Sequence, residues 1–137
     1  MSYIPIALRK LVIARAKSRC EYCGLSQASQ EATFHIDHIL PESLGGETNE
    51  KNLALACVSC SLRKATRVQI EDPQSGAKVF LFNPRQDAWQ NHFIGQGDYV
   101  SGLTSTGRAT IEALQMNRTL ALAIRHEQAL LGRHPPQ

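Results

Sequence analysis

Four cysteines constrain this chain more than anything else in it. They fall into two pairs, Cys20-x-x-Cys23 and Cys57-x-x-Cys60, with none left over. Each C-x-x-C turn can present two thiolates to one ion, and two such turns complete a tetrahedron of soft ligands of the kind zinc takes. A disulfide framework suits a secreted chain. Here Arg9 and Lys10 come early with no apolar run after them, so no signal peptide is expected. A redox role suits a single C-x-x-C in a thioredoxin-like setting, which is absent. The reading is one structural zinc held by Cys20, Cys23, Cys57 and Cys60. Four protein ligands leave no open coordination position, so this ion should hold the fold rather than do chemistry.

The zinc matters because the chain is short. Its 137 residues fit one domain with a modest core, which gains from a staple. Within an expected unit of 1–137, we read a core at about 18–67, a β-rich extension at 68–103 and a helical tail at 104–131. Hydrophobic residues make up 42% and charged residues 20%, which excludes general disorder. No stretch is long and apolar enough to span a bilayer, and the expected location is cytoplasmic.

Hydrophobic spacing places the elements. Residues 5–18 read as a helix, with Pro5 in its first turn and Leu8, Leu11, Val12 and Ala16 on one face. A strand is expected over Thr33–Ile39, a loop over Pro41–Asn52, a short apolar piece over Leu53–Ala56, and a helix from about Val58 to Ala65. Val68–Glu71 and Lys78–Phe82 flank a turn and read as a hairpin. Residues 84–93 read as a turn or short helix, Tyr99–Leu103 as a strand, and the chain from Thr104 as helical. The class is α+β with a small, interrupted sheet.

Between the cysteine pairs lies a cluster of chemistry: His35, Asp37 and His38 within four residues. On a strand His35 and Asp37 point to one side, and His38 stands where the loop begins. Metal-assisted phosphodiester cleavage needs a carboxylate for a hard cation and a base that titrates near neutrality for a water. Asp37 and His38 supply both in adjacent positions. His35 is either an auxiliary to that site or purely structural.

The run D-H-I-x-P-x-S-x-G-G, then N-L and C-x-x-C, preceded by C-x-x-C, resembles the HNH endonucleases, most of all their zinc-knuckle branch. The resemblance covers residues 5–67 closely. The later stretches LFNPRQDAWQNHF and GLTSTGRATIEALQMNR are also similar to the tails of small HNH proteins. It implies a ββα-metal core, with the N-terminal helix, an added β-hairpin and a C-terminal helical segment around it. It implies His38 as the general base and Asp37 as ligand to a catalytic divalent ion, Mg²⁺ or Mn²⁺/Ni²⁺. Asn52 would steady the loop and orient the histidine. Directly after Cys60 the family carries His or Asn, whereas this chain has Ser61. Three readings are open: Ser61 holds the ion through a water, His92 supplies the missing ligand, or the site is degraded and the protein only binds. His92 also has a plain packing role available beside Trp89 and Phe93.

Charge agrees with a polyanionic partner without demanding one. The net charge is +3 and the sequence pI about 8.8. Residues 1–20 hold five basic groups and no acid, residues 61–137 hold nine Lys/Arg against six Asp/Glu, and the middle is acidic. Arg63, Lys64 and Arg67 are expected on the helix after the motif, and Arg85 in its turn, as phosphate contacts. Nothing resembles base readout. The expected activity is a nicking or weakly sequence-specific endonuclease acting on DNA, with affinity set by phosphates and salt. The alternatives are a catalytically impaired, zinc-dependent nucleic-acid-binding module and a nuclease subunit that needs a partner.

Overall fold

The structure, a computed structural model, describes residues 3–135; the outermost residues of the expected 1–137 unit lie outside them. Helix α1 (Ile6–Arg15) starts after Pro5, whose fixed φ suits a helix entrance. It buries Val12, with Leu8 and Ala16 packed partly against the core. Leu11, expected on the same face, is 40% exposed. The helix lies along the line Leu8–Val12–Ala16, a strict i, i+4 row, and Leu11 falls one position off it. Arg15 ties α1 onward, its guanidinium donating to Glu50 O and Leu53 O.

Strands β1 (His35–His38) and β2 (Leu53–Ala56) pair antiparallel, with His35 opposite Ala56 and His38 opposite Leu53. Helix α2 (Val58–Lys64) follows at once, so β1, β2 and α2 form a ββα unit. All four β2 residues are buried. That explains why Leu53–Ala56 reads as an apolar run and not as an alternating strand: α1 and α2 both pack on β2.

Beyond this unit, β3 (Gln69–Glu71) pairs with β4 (Lys78–Phe80). A second hairpin joins β5 (Phe93–Gln96) to β6 (Tyr99–Gly102), after the short helix α3 (Trp89–His92). Strand β5 was not expected from sequence. Its signal was the two-residue loop Gly97-Asp98, with Gly97 at φ +63°, a form that two-residue hairpins favour. Helices α4 (Ser105–Leu114) and α5 (Thr119–Leu130) close the chain. Thr104 caps α4 by accepting from Gly107 N at 3.0 Å. Gly107 is there of necessity, because a Cβ would run into His92 O. An aromatic group of Tyr22, Phe82, Trp89 and Phe93 links the cysteine frame to the later elements, and Trp89 Nε1 donates to Tyr22 O at 2.9 Å.

The β3–β4 turn is held by Asp72, whose carboxylate is buried. It accepts from Gln74 N at 3.2 Å and Ser75 Oγ at 2.7 Å, and takes two bonds from Arg108 of α4 at 3.1 and 3.0 Å. The Arg108 guanidinium, then Ser75, hold this carboxyl well below the usual carboxylate range. A carboxyl held low in the folded state stabilises above its unfolded pKa of about 3.9 and loses that contribution as pH falls further. The melting temperature of Asp72→Asn should therefore lie below wild type at pH 7. The gap should narrow as pH drops through the carboxylate range. Equal melting temperatures at pH 7 would show that the pair does not stabilise the turn.

Candidate metal centre and active site

The cysteine frame is built from two similar turns. In the first, Cys20 N donates to Leu25 O and Gly24 N to Cys20 O, both at 2.9 Å, and Gly24 sits at φ +81°, where a side chain would be strained. Cys23 N points at Cys20 Sγ over 3.5 Å. In the second turn Cys57 is the N-cap of α2, its sulfur accepting from Cys60 N at 3.4 Å. All four thiols are free and buried, and their sulfurs lie within 4.8 Å of one another. Cys23 and Cys57 Sγ are 3.7 Å apart. A ZnS₄ tetrahedron with bonds of ~2.3 Å sets its sulfurs about 3.8 Å apart, whereas a disulfide needs ~2.05 Å. The residues therefore fit a tetrahedral metal site. Their charge behaviour agrees: hydrogen bonds from Cys20, Cys23 and Cys60 hold the Cys57 thiol low, while burial pushes Cys20 up.

The second centre lies on β1. As the strand's alternation requires, His35 and Asp37 both face α2, where residues three apart meet them. His35 Nδ1 lies 2.9 Å from Ser61 Oγ, and Asp37 Oδ2 lies 3.1 Å from Lys64 Nζ. Ser61 thus stands beside His35, one strand repeat from Asp37. Lys64 is 1% exposed, and its ammonium also donates to His38 O at 2.9 Å. Expected with Arg63 as a phosphate contact, Lys64 instead points inward, where the Asp37 carboxylate offers it a partner. The ammonium lies 3.1 Å from Asp37 Oδ2 and so gives this buried carboxylate a charged partner. Burial raises the Asp37 carboxyl above its ordinary value, opposed by Lys64. An oxygen of this kind suits a hard divalent ion held by one carboxylate, the other positions being water or phosphate. No other group of three His, Cys, Asp or Glu comes together among the described residues besides the four cysteines.

His38 faces the opposite side, toward the 41–52 loop. Its Nε2 lies 2.8 Å from Thr48 Oγ1 and 3.8 Å from Glu42 Oε1. Thr48 carried no signal in the sequence, since a loop threonine has no motif. The loop is closed by Asn52, whose Oδ1 accepts from Leu40 N at 2.8 Å. Its Nδ2 donates to Leu40 O at 3.0 Å and Glu47 O at 2.9 Å. Asn52 thus reaches His38 through the backbone that follows it and not by a bond to the ring. Gly46 allows this closure, because a Cβ there would strike Leu40 O and crowd Asn52 Nδ2.

The remaining sequence candidates lie further out. His92 packs its ring edge-on against Phe82 and meets Thr104 Oγ1 through Nδ1 at 2.7 Å, which is the packing arrangement open to it from sequence. Arg85 is ion-paired with Glu21 and only 18% exposed; in place of an open phosphate contact it braces the first cysteine turn. Glu21 also accepts from Leu55 N at 2.8 Å. Arg63 and Arg67 are exposed.

Residues 20–67 match the family model described as HNH endonuclease, the stretch that carries both cysteine pairs and the Asp37-His38 dipeptide. Comparison with curated proteins and with solved structures returned no match. No helix among the described residues is long and apolar enough to cross a membrane.

Proposed function

We propose that the protein is a metal-dependent endonuclease that hydrolyses phosphodiester bonds in DNA, nicking or cutting with little sequence preference. The observation that carries this reading is the Asp37-His38 dipeptide on the first strand of a ββα unit, within the stretch that matches the HNH endonuclease model. Asp37 holds the catalytic Mg²⁺, Mn²⁺ or Ni²⁺, with Ser61 and His35 beside it. When bound, that ion supplies Lewis-acid polarisation of the scissile phosphate. The role requires the tautomer in which Nε2–H is given to Thr48 Oγ1, 2.8 Å away, so that Nδ1 is left to take the proton of an attacking water. Asn52 keeps the loop shut, so that Thr48 stays in place to fix the tautomer. The cysteine site holds structural zinc, in a reducing compartment such as the cytoplasm, where thiols persist.

Incubation of purified protein with supercoiled plasmid, with and without added Mg²⁺ or Mn²⁺, tests the reading. Conversion to open-circular or linear DNA is expected only with the ion. A second reading has a specific observation behind it: Lys64 already places a positive charge on Asp37, and Ser61 is engaged by His35. Both favour a scaffold that binds nucleic acid without cutting it. Intact plasmid at every ion concentration, with binding retained, would establish that alternative.

A further inference from the structure

Next to the candidate site runs a groove with a volume of about 710 Å³. Lys64 lies in its wall, so the groove and the Asp37 environment share a residue. Its other lysine and arginine members are Arg67 and Lys78, and His92 also lines it. Arg67 donates only to backbone carbonyls, including Ala113 O at 3.1 Å, and no ion pair joins it or Lys78 to a carboxylate among the described residues. Among the described residues the lining holds one acid, Asp87, which is turned to Asn83 N at 3.0 Å. Much of the remaining wall is apolar, and one part of it is unusual: Phe80 of β4 lines the groove while 66% exposed. Lys78 shares its face of the strand, two residues away.

Arg67 and Lys78 make no ion pair among the described residues, although Glu71 is the cross-strand neighbour of Lys78. An exposed aromatic ring beside two such cations is the combination that binds unpaired nucleic acid, the ring stacking a base while the cations track phosphates. A duplex keeps its base faces stacked inside and has nothing to lay on Phe80. The volume lies within the ~300–1,000 Å³ of sites for small-molecule-sized groups, which suits a strand segment. We propose that this groove holds an unpaired stretch of DNA strand beside the candidate site, one base on Phe80 and phosphates on Arg67 and Lys78. The proposal takes its direction from the nuclease reading, since the strand leads to Asp37 and His38, but the binding it describes is measurable without cleavage.

The experiment uses zinc-loaded His38→Ala protein without added divalent ion and fluorescein-labelled oligonucleotides: a single strand, a blunt duplex, and a duplex with an unpaired flap. Fluorescence anisotropy should show the single strand and the flap binding roughly tenfold tighter than the blunt duplex. Adding Phe80→Ala should weaken single-strand binding by roughly tenfold, the usual effect of removing one stacking platform, and leave the duplex unchanged. Arg67→Ala or Lys78→Ala should lower the salt slope of single-strand binding by about 0.7. Equal or tighter duplex binding, or a Phe80→Ala variant that binds the single strand as before, overturns the proposal. If Phe80-dependent binding is found but wild-type protein cuts nothing, the groove stands and the nuclease reading falls. If duplex plasmid is cut with no effect of Phe80→Ala on strand binding, the reverse holds.

Discussion

Replacing Cys57 with serine should leave a chain that neither holds zinc nor folds. The expectation rests on magnitudes. Binding of structural zinc is worth ~10–16 kcal/mol in small zinc-dependent folds, and there it is folding free energy. The whole stability of a domain is only about 5–15 kcal/mol, so losing the ion removes as much as the fold has. Cys57 should be the most sensitive of the four, because its sulfur belongs to the cluster and is also the N-cap of α2. Metal analysis of protein purified without chelator should give one zinc per chain, and far-UV circular dichroism of Cys57→Ser should show lost secondary structure. Treating wild type with a strong chelator should produce the same loss. A folded wild-type protein that contains no zinc, or a variant with an unchanged melting temperature, would remove the metal from the account.

The second large effect concerns β1. His38→Ala should lower plasmid cleavage by about 10²–10⁴-fold, the usual contribution of a general base. Stability should change little, since the ring makes one hydrogen bond, to Thr48, worth ~1 kcal/mol. Asp37→Ala is a different case. It removes the carboxylate that faces Lys64 and leaves a buried ammonium unpaired, at a cost of ~3–5 kcal/mol. In a chain of this size that is a fall in melting temperature on the order of 10 °C or more. Lost activity in that variant alone would therefore not separate a missing ligand from a damaged fold. The double substitution Asp37→Ala with Lys64→Met removes both charges together. It should regain most of the stability while cleavage stays absent. Should the double variant cut at the wild-type rate, Asp37 is not the ion's ligand.

The sequence spoke most clearly where chemistry demands fixed spacing. The two cysteine turns, the Asp37-His38 dipeptide and the Asn52 loop closure are all local patterns, and the structure places their residues close together. The ββα order and the β3–β4 hairpin were legible from apolar runs and turn residues for the same reason. What stayed hidden depends on residues far apart in the chain. Lys64 follows Arg63 in a short basic run, which normally marks a solvated helix face. Only the packing of β1 on α2 sets a carboxylate against it and draws it inside. Arg85 likewise reads as a free surface charge until Glu21 is found beside it. Strand β5 escaped because its Ile94, Gly95 and Gln96 are exposed, which leaves too little alternation to read.

The first cysteine turn also reaches the far end of the chain. Arg125 of α5 is 1% exposed. Its guanidinium donates to Asp98 O at 3.0 Å and Cys23 O at 3.4 Å, with no carboxylate paired to it among the described residues. Burial pulls its pKa down, and attraction from Cys23 works against that. The first cysteine turn and the closing helix are therefore coupled: releasing α5 would expose the Cys23 carbonyl, and loosening the turn would strand a buried guanidinium.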